Sequence, residues 1–178
     1  MSDINENIKK IFKTREFRNI LINTLSSLLT DICKENDIPP LYNNERIIPF
    51  LTKRNNHSLS IKTYLENLVK VTQIESSTLI AMLIYIDRLC EINNFIVNSL
   101  NVYRIIFSSF VIAIKYNEEK YFDNKFFSKL AGISLTEMNL LESIYLNLID
   151  YKLYISDEEF VIYYENIHDI INCCSAFN

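Results

Sequence analysis

Six side chains in this sequence are of the types that bind metals or serve as nucleophiles and bases: Cys33, Cys90, Cys173, Cys174, His57 and His168. A zinc site draws its ligands from close pairs, and these cysteines form no C-x-x-C pair. Adjacent Cys173 and Cys174 cannot easily both face one ion, and neither histidine stands at ligand spacing from them. Neither histidine pairs with an obvious nucleophile. A single glycine leaves no glycine-rich loop for phosphate. The reading is a protein that is not an enzyme, with no catalytic residue, metal site or cofactor. Cys90 lies in an apolar helical pattern and reads as core.

A different kind of chemistry is raised by Lys115. It ends the run FSSFVIAIK, residues 107–115, whose other polar members are Ser108 and Ser109. The plain explanation is a helix coming to the surface, with the lysine in its last turn complementing the dipole and the free carbonyls. Glu118 and Glu119 then read as a solvated terminus.

The elements that must position these residues read as helices. The chain has 178 residues, 49% hydrophobic and 22% charged, which suits one globular domain with a real core. One glycine and three prolines argue against the many tight turns of a sandwich or barrel. Residues 1–36 read as an N-terminal helical extension, with Ile8, Ile11, Phe12, Ile20, Leu21, Leu25, Leu28, Leu29 and Ile32 at helical spacing. Asp37-Ile-Pro-Pro ends it, and 37–57 reads as a loop.

Over 58–155 five helices follow with short connections. The first holds Ile61, Tyr64, Leu65, Leu68 and Val71. The second, TLIAMLIYIDRLCEI, is apolar on nearly every side until Asp87 and is expected to be the central, most buried one. Ser76 or Ser77 is expected to cap it, and Asn98 or Ser99 to cap the third. The short fourth helix ends at Gly132, where a left-handed helix end needs glycine. Ser134-Leu-Thr-Glu137 and Ser156-Asp-Glu-Glu159 read as capping boxes opening the fifth helix and a short C-terminal helix in 156–178. The fold class is all-α, five helices around a buried central one with a helix added at each end.

The segments that carry these helices hold recognisable motifs. PFLTKRNNHSLSIKTYLENLVKV, residues 49–71, contains Phe50, Ser60-Ile61 and Tyr64-Leu65. LIAMLIYIDRL contains Tyr-Ile-Asp-Arg at 85–88. NSLNVYRIIFSSFVIAIKYNEE holds Asn98-Ser99-Leu100 and Arg104. AGISLTEMNLLESIYLNLIDYKLYIS holds Gly132, Glu137-Met-Asn139, Leu141-Glu142 and Leu146. Over about residues 48–165 these resemble the cyclin box, and within it the P-type (or U-type) branch, the phosphate-pathway group. A single box is expected. Three features depart from the pattern: Asn67 stands where an arginine is usual, Leu51-Thr52 replaces a His-Ser pair, and no Met-Arg-Ala-Ile-Leu docking motif is recognisable in SIKTYLENL.

The resemblance implies a regulatory subunit that binds and activates a cyclin-dependent kinase, with kinase substrates as possible further partners. Lys115 and Glu142 match the lysine and glutamate through which cyclins hold the backbone around the kinase's regulatory helix. A simple interhelix salt bridge is the alternative for the pair. Asp87 and Arg88 are expected to orient the first two helices, with Asn67 or Arg88 compensating Asp87. Tyr64 and Gly132 are structural positions of the box. Some of Phe107, Phe110, Ile114, Leu141, Ile144 and Tyr145 are expected to form an apolar kinase-facing patch, and Tyr163-Tyr164 to fall in the last helix's core. The alternative function is a cyclin-box adaptor or scaffold that activates no kinase. The net charge of −4 and the lone basic patch KTREFR, read as a solvated helix face, argue against a nucleic-acid partner. No run approaches the ~20 apolar residues of a membrane span, and the polar N-terminus is unlike a signal peptide, so no membrane partner is expected. An intracellular location, cytoplasmic or nuclear or both, is expected.

Overall fold

The computed structural model describes residues 14–37, 45–51, 59–120 and 122–176. His57, the Cys174 side chain and most of the 37–57 loop lie outside them. The described residues form seven α-helices: α1 (Arg15–Asn36), α2 (Ile61–Thr72), α3 (Ser76–Asn93), α4 (Val102–Asn117), α5 (Asn124–Ala131), α6 (Leu135–Leu148) and α7 (Asp157–Ala176). A 3-10 helix, Glu45–Phe50, interrupts the expected loop and sends the Phe50 ring into the core. The all-α expectation holds. The C-terminal helix, expected to be short, has 20 residues.

Helix α3 is the hub, packing against α1, α4, α6 and α7. Its sequence explains this, since Leu79, Ile80, Ala81, Met82, Ile84, Tyr85, Ile86 and Leu89 are buried around the whole circumference. Helix α4 is buried without a break from Ile105 to Ile114 and surfaces at Lys115, so α3 is central without being uniquely buried. Ser109 inside that run donates to the Met82 carbonyl at 2.7 Å, satisfying a hydroxyl that would otherwise cost stability.

Helix ends follow local rules in part. Ser134 Oγ accepts from the Glu137 amide at 3.1 Å, and Ser156 Oγ from the Glu159 amide at 3.2 Å. The reciprocal half of each capping box does not form. Glu137 instead pairs with Arg104 at 2.6 Å, and Glu159 with Arg88 at 2.8 Å. A charged guanidinium partner outweighs one neutral amide. Gly132 adopts φ 66° at the end of α5.

The caps of α3 and α4 differ from expectation. Glu75, not Ser76 or Ser77, is the N-cap of α3, and its side chain makes no cap bond. Glu118 supplies the charge: its Oε1 accepts from the Glu75 amide at 2.8 Å and the Thr78 hydroxyl at 2.6 Å. An anion is favoured at this positive helix end, so Glu118 is a structural tie and not a solvated residue. Asn101 is the N-cap of α4. Asn98 holds the preceding turn by accepting from the Leu100 amide. Ser99 donates its amide and hydroxyl to Asp37, fastening the end of α1.

Candidate functional site

The C-terminal turn of α4 and the middle of α6 place Lys115 and Glu142 together, 27 positions apart in sequence. Nζ donates to Oε1 at 2.5 Å. Helices α4 and α6 pack directly, so this meeting is a product of tertiary structure. The Lys115 side chain is 29% exposed and that of Glu142 16%, which puts the pair at the rim of the protein. Glu142 Oε2 accepts from Asn124 Nδ2 at 2.6 Å, and the same amide reaches Asn139 at 2.8 Å. Asn124 is the first residue of α5, held there by Asp123, whose carboxylate accepts from the Phe126 amide. Three helices therefore fix the carboxylate.

An ammonium carries three donors, and Glu142 takes one. Each carboxylate oxygen has a lone pair left after the Lys115 and Asn124 bonds. The pair can thus offer donors to carbonyls and acceptors to amides of another backbone. Beside it is a cavity of about 180 Å³ lined by Ile112, Tyr116, Leu146 and Leu153 together with the pair. Tyr116 is half exposed. A polar pair walled by apolar groups is the arrangement in which water is excluded from a few hydrogen bonds.

Of the six apolar residues, some of which are expected to form an outward patch, only Ile144 reaches the surface even in part. Phe107, Phe110, Ile114, Leu141 and Tyr145 are all buried, and Ile144 is half-buried. The groove residues are their neighbours. Ile112 lies three positions before Lys115 and four before Tyr116, and Leu146 lies four beyond Glu142, spacings that share a helix face. Leu153 follows the end of α6, and no periodicity points to it.

The Tyr-Ile-Asp-Arg stretch holds Leu153 in place. Tyr85 Oη donates to the Leu153 carbonyl at 2.8 Å. Arg88 donates to the carbonyls of Lys152, at 2.5 Å, and Tyr154, at 2.9 Å, and meets both oxygens of Glu159 at 2.8 Å. Asp87 accepts from Tyr163 Oη at 3.0 Å. Asp87 and Arg88 thus orient α3 against the 152–156 segment and α7, not against α2. Asn67 is exposed and is not the partner of Asp87, and Arg88 serves Glu159 instead. Burial raises the Asp87 carboxyl above its ordinary range; the Tyr163 bond opposes this and Glu91 adds to it. Tyr163 and Tyr164 are half-buried, Tyr164 against Phe17.

Tyr64 packs edge-on against Tyr103, ring centres 5.2 Å apart, which links α2 to α4. Desolvation pushes its phenol well above the usual value. Cys33 and Cys90 are raised by burial to about 12 and about 11, which leaves them as unreactive thiols. Among the described residues no cluster of His, Cys, Asp and Glu could hold a metal, and no helix is long and apolar enough to cross a membrane.

The family model described as Cyclin matches residues 6–153. Cyclin-P3-1 of Oryza sativa subsp. japonica is 35% identical over 105 residues, covering 59% of this chain and 44% of its own length. Cyclin-U4-1 of Arabidopsis thaliana is 28% identical over 146 residues, 81% of this chain and 72% of its own. The PHO85 cyclin-like protein psl1 of Schizosaccharomyces pombe is 32% identical over 112 residues, 62% of this chain and 46% of its own. The match thus spans less than half of the rice and fission-yeast relatives. With a family match over most of its length on an all-helical fold, the chain belongs to the cyclin family.

Proposed function

We propose that this chain is the regulatory subunit of a cyclin-dependent kinase, and that Lys115 and Glu142 hold the backbone around the kinase's regulatory helix. The observation that carries the reading is their pairing at a surface rim, with spare donors and acceptors beside an apolar-walled groove. A simple salt bridge at the same place needs no such groove. The names of the relatives agree, all being called cyclins or cyclin-like. Activation is a population shift. The chain binds the kinase with its regulatory helix swung in, which completes the kinase's own Lys–Glu pair and orders its activation loop. The chain itself does no chemistry. Tyr85 and Arg88 act at one remove, holding Leu153 as a wall of the groove.

The test is affinity capture from a native lysate with the tagged chain, followed by phosphate transfer from ATP to a generic protein substrate. Wild type is expected to recover a kinase whose activity depends on the chain. Lys115→Ala/Glu142→Ala is expected to recover at least about tenfold less. Recovery of no kinase, or equal recovery by both proteins, overturns the proposal.

A further inference from the structure

A second surface lies on another pair of helices. Helices α1 and α2 pack side by side and leave between them a cleft of about 610 Å³. Its walls carry Arg15 and Arg18 from α1 and Lys62 and Lys70 from α2, against the single carboxylate of Glu66. Ile22 and Val69 form an apolar floor. This concentration of positive charge stands out on a chain of net charge −4. Lys62 and Glu66 are 4.0 Å apart and both half-exposed, so the acid offsets little. Arg18 Nε is shielded from solvent and has no hydrogen-bond partner among the described residues, a donor left unused in the wall.

The spread of the charges defines the ligand. Lys62 and Lys70 are eight positions apart on one helix, about 12 Å along its axis. One phosphate-sized anion cannot reach both, whereas an extended chain crosses that distance in about four residues. The rest of this chain is a poor match. Its segments outside the described residues carry Asp3 and Glu6 against Lys9, Lys10, Lys13, Lys53 and Arg54. We propose that the α1–α2 cleft is a docking site for an extended acidic segment of a partner protein. Its carboxylates would pair with Arg15, Arg18 and Lys70, and its aliphatic stems would lie on Ile22 and Val69. The site shares no lining residue with the Lys115–Glu142 groove, and binding there does not require a kinase.

The test uses the isolated chain and a fluorescein-labelled oligo-glutamate peptide of about eight residues, with oligo-glutamine as control, read by fluorescence anisotropy. Saturable binding to the glutamate peptide alone is expected, about tenfold weaker at ~300 mM than at ~50 mM salt. Arg15→Gln/Arg18→Gln/Lys70→Gln should weaken it at least about tenfold, and Lys125→Gln/Lys129→Gln on the exposed face of α5 should not. Should the triple variant unfold, Lys70→Glu alone at its exposed position should still cost about threefold. Absence of saturable binding, equal losses in the α5 control, an unchanged affinity in Lys70→Glu, or displacement of the peptide by equimolar inorganic phosphate would each overturn the proposal.

Discussion

Replacing Arg88 by alanine would remove the hydrogen bonds and the ion pair through which α3 holds the 152–159 segment. The side chain leaves α3 only 14% exposed and ends on three acceptors, the Lys152 and Tyr154 carbonyls and the Glu159 carboxylate. Its guanidinium also lies 5.7 Å from the centre of the Tyr85 ring. Two carbonyl bonds from a charged donor are worth about 1 kcal/mol each once solvent competition is counted. The partly exposed Glu159 pair adds about 1 kcal/mol. The expected loss is therefore about 3 kcal/mol, below the 3–5 kcal/mol range upper end for a fully buried pair because the freed carboxylate can reach water. For a chain of this length that is a fall in Tm of about 6–12 °C. Arg88→Lys keeps the charge but not the fork, and is expected to lose about half as much. Urea titration of the two variants gives both values, and a double-mutant cycle with Glu159→Ala isolates the pair at about 1 kcal/mol. An Arg88→Ala loss under about 0.5 kcal/mol would refute the tie between α3 and the 152–159 segment.

Three further outcomes follow from the fold. Glu118→Ala removes the carboxylate at the N-terminus of α3 and should cost about 1 kcal/mol in urea titration, with Glu118→Gln in between; a solvated residue would show no change. Gly132→Ala should cost about 1 kcal/mol through backbone strain alone, since φ is 66° and nothing stands within 4 Å of the added carbon; equal stability would contradict the left-handed helix end. Asp87 is raised above its ordinary 3.8 by burial, so between that value and the raised one the folded state holds more proton than the unfolded. Stability should fall as pH rises through this window and level off above it, and Asp87→Asn should lack that slope; parallel profiles for the two proteins from acid to neutral pH would contradict the assignment.

Helix positions were readable where the information is local. Ser134, Ser156 and Gly132 sit at ends that their own types dictate, and the all-round apolar pattern of residues 79–89 marks the hub. Charges whose partners are remote were not readable. Glu137 and Glu159 look like capping-box acids, but Arg104 and Arg88, 33 and 71 positions away, compete for them. Glu118 looks solvated until the fold brings the start of α3 to it. The site divides the same way. Lys115 is conspicuous in sequence as the end of an apolar run, while Glu142 is legible only through the resemblance. The groove walls needed the helical phase relative to both residues, which selects Ile112 and Leu146 over the core positions Phe110 and Leu141. Leu153 reaches the site from the connection after α6 and Asn124 from the first position of α5, and spacing within α4 or α6 offers no rule for either.

The most direct measurement is the affinity of the recovered kinase for the purified chain, by biolayer interferometry, for wild type and Lys115→Ala/Glu142→Ala with matched melting temperatures. A loss of at least about tenfold, more than 1.4 kcal/mol, is the predicted result. Equal affinity for two equally folded proteins would contradict the clamp and leave the pair as an ordinary salt bridge.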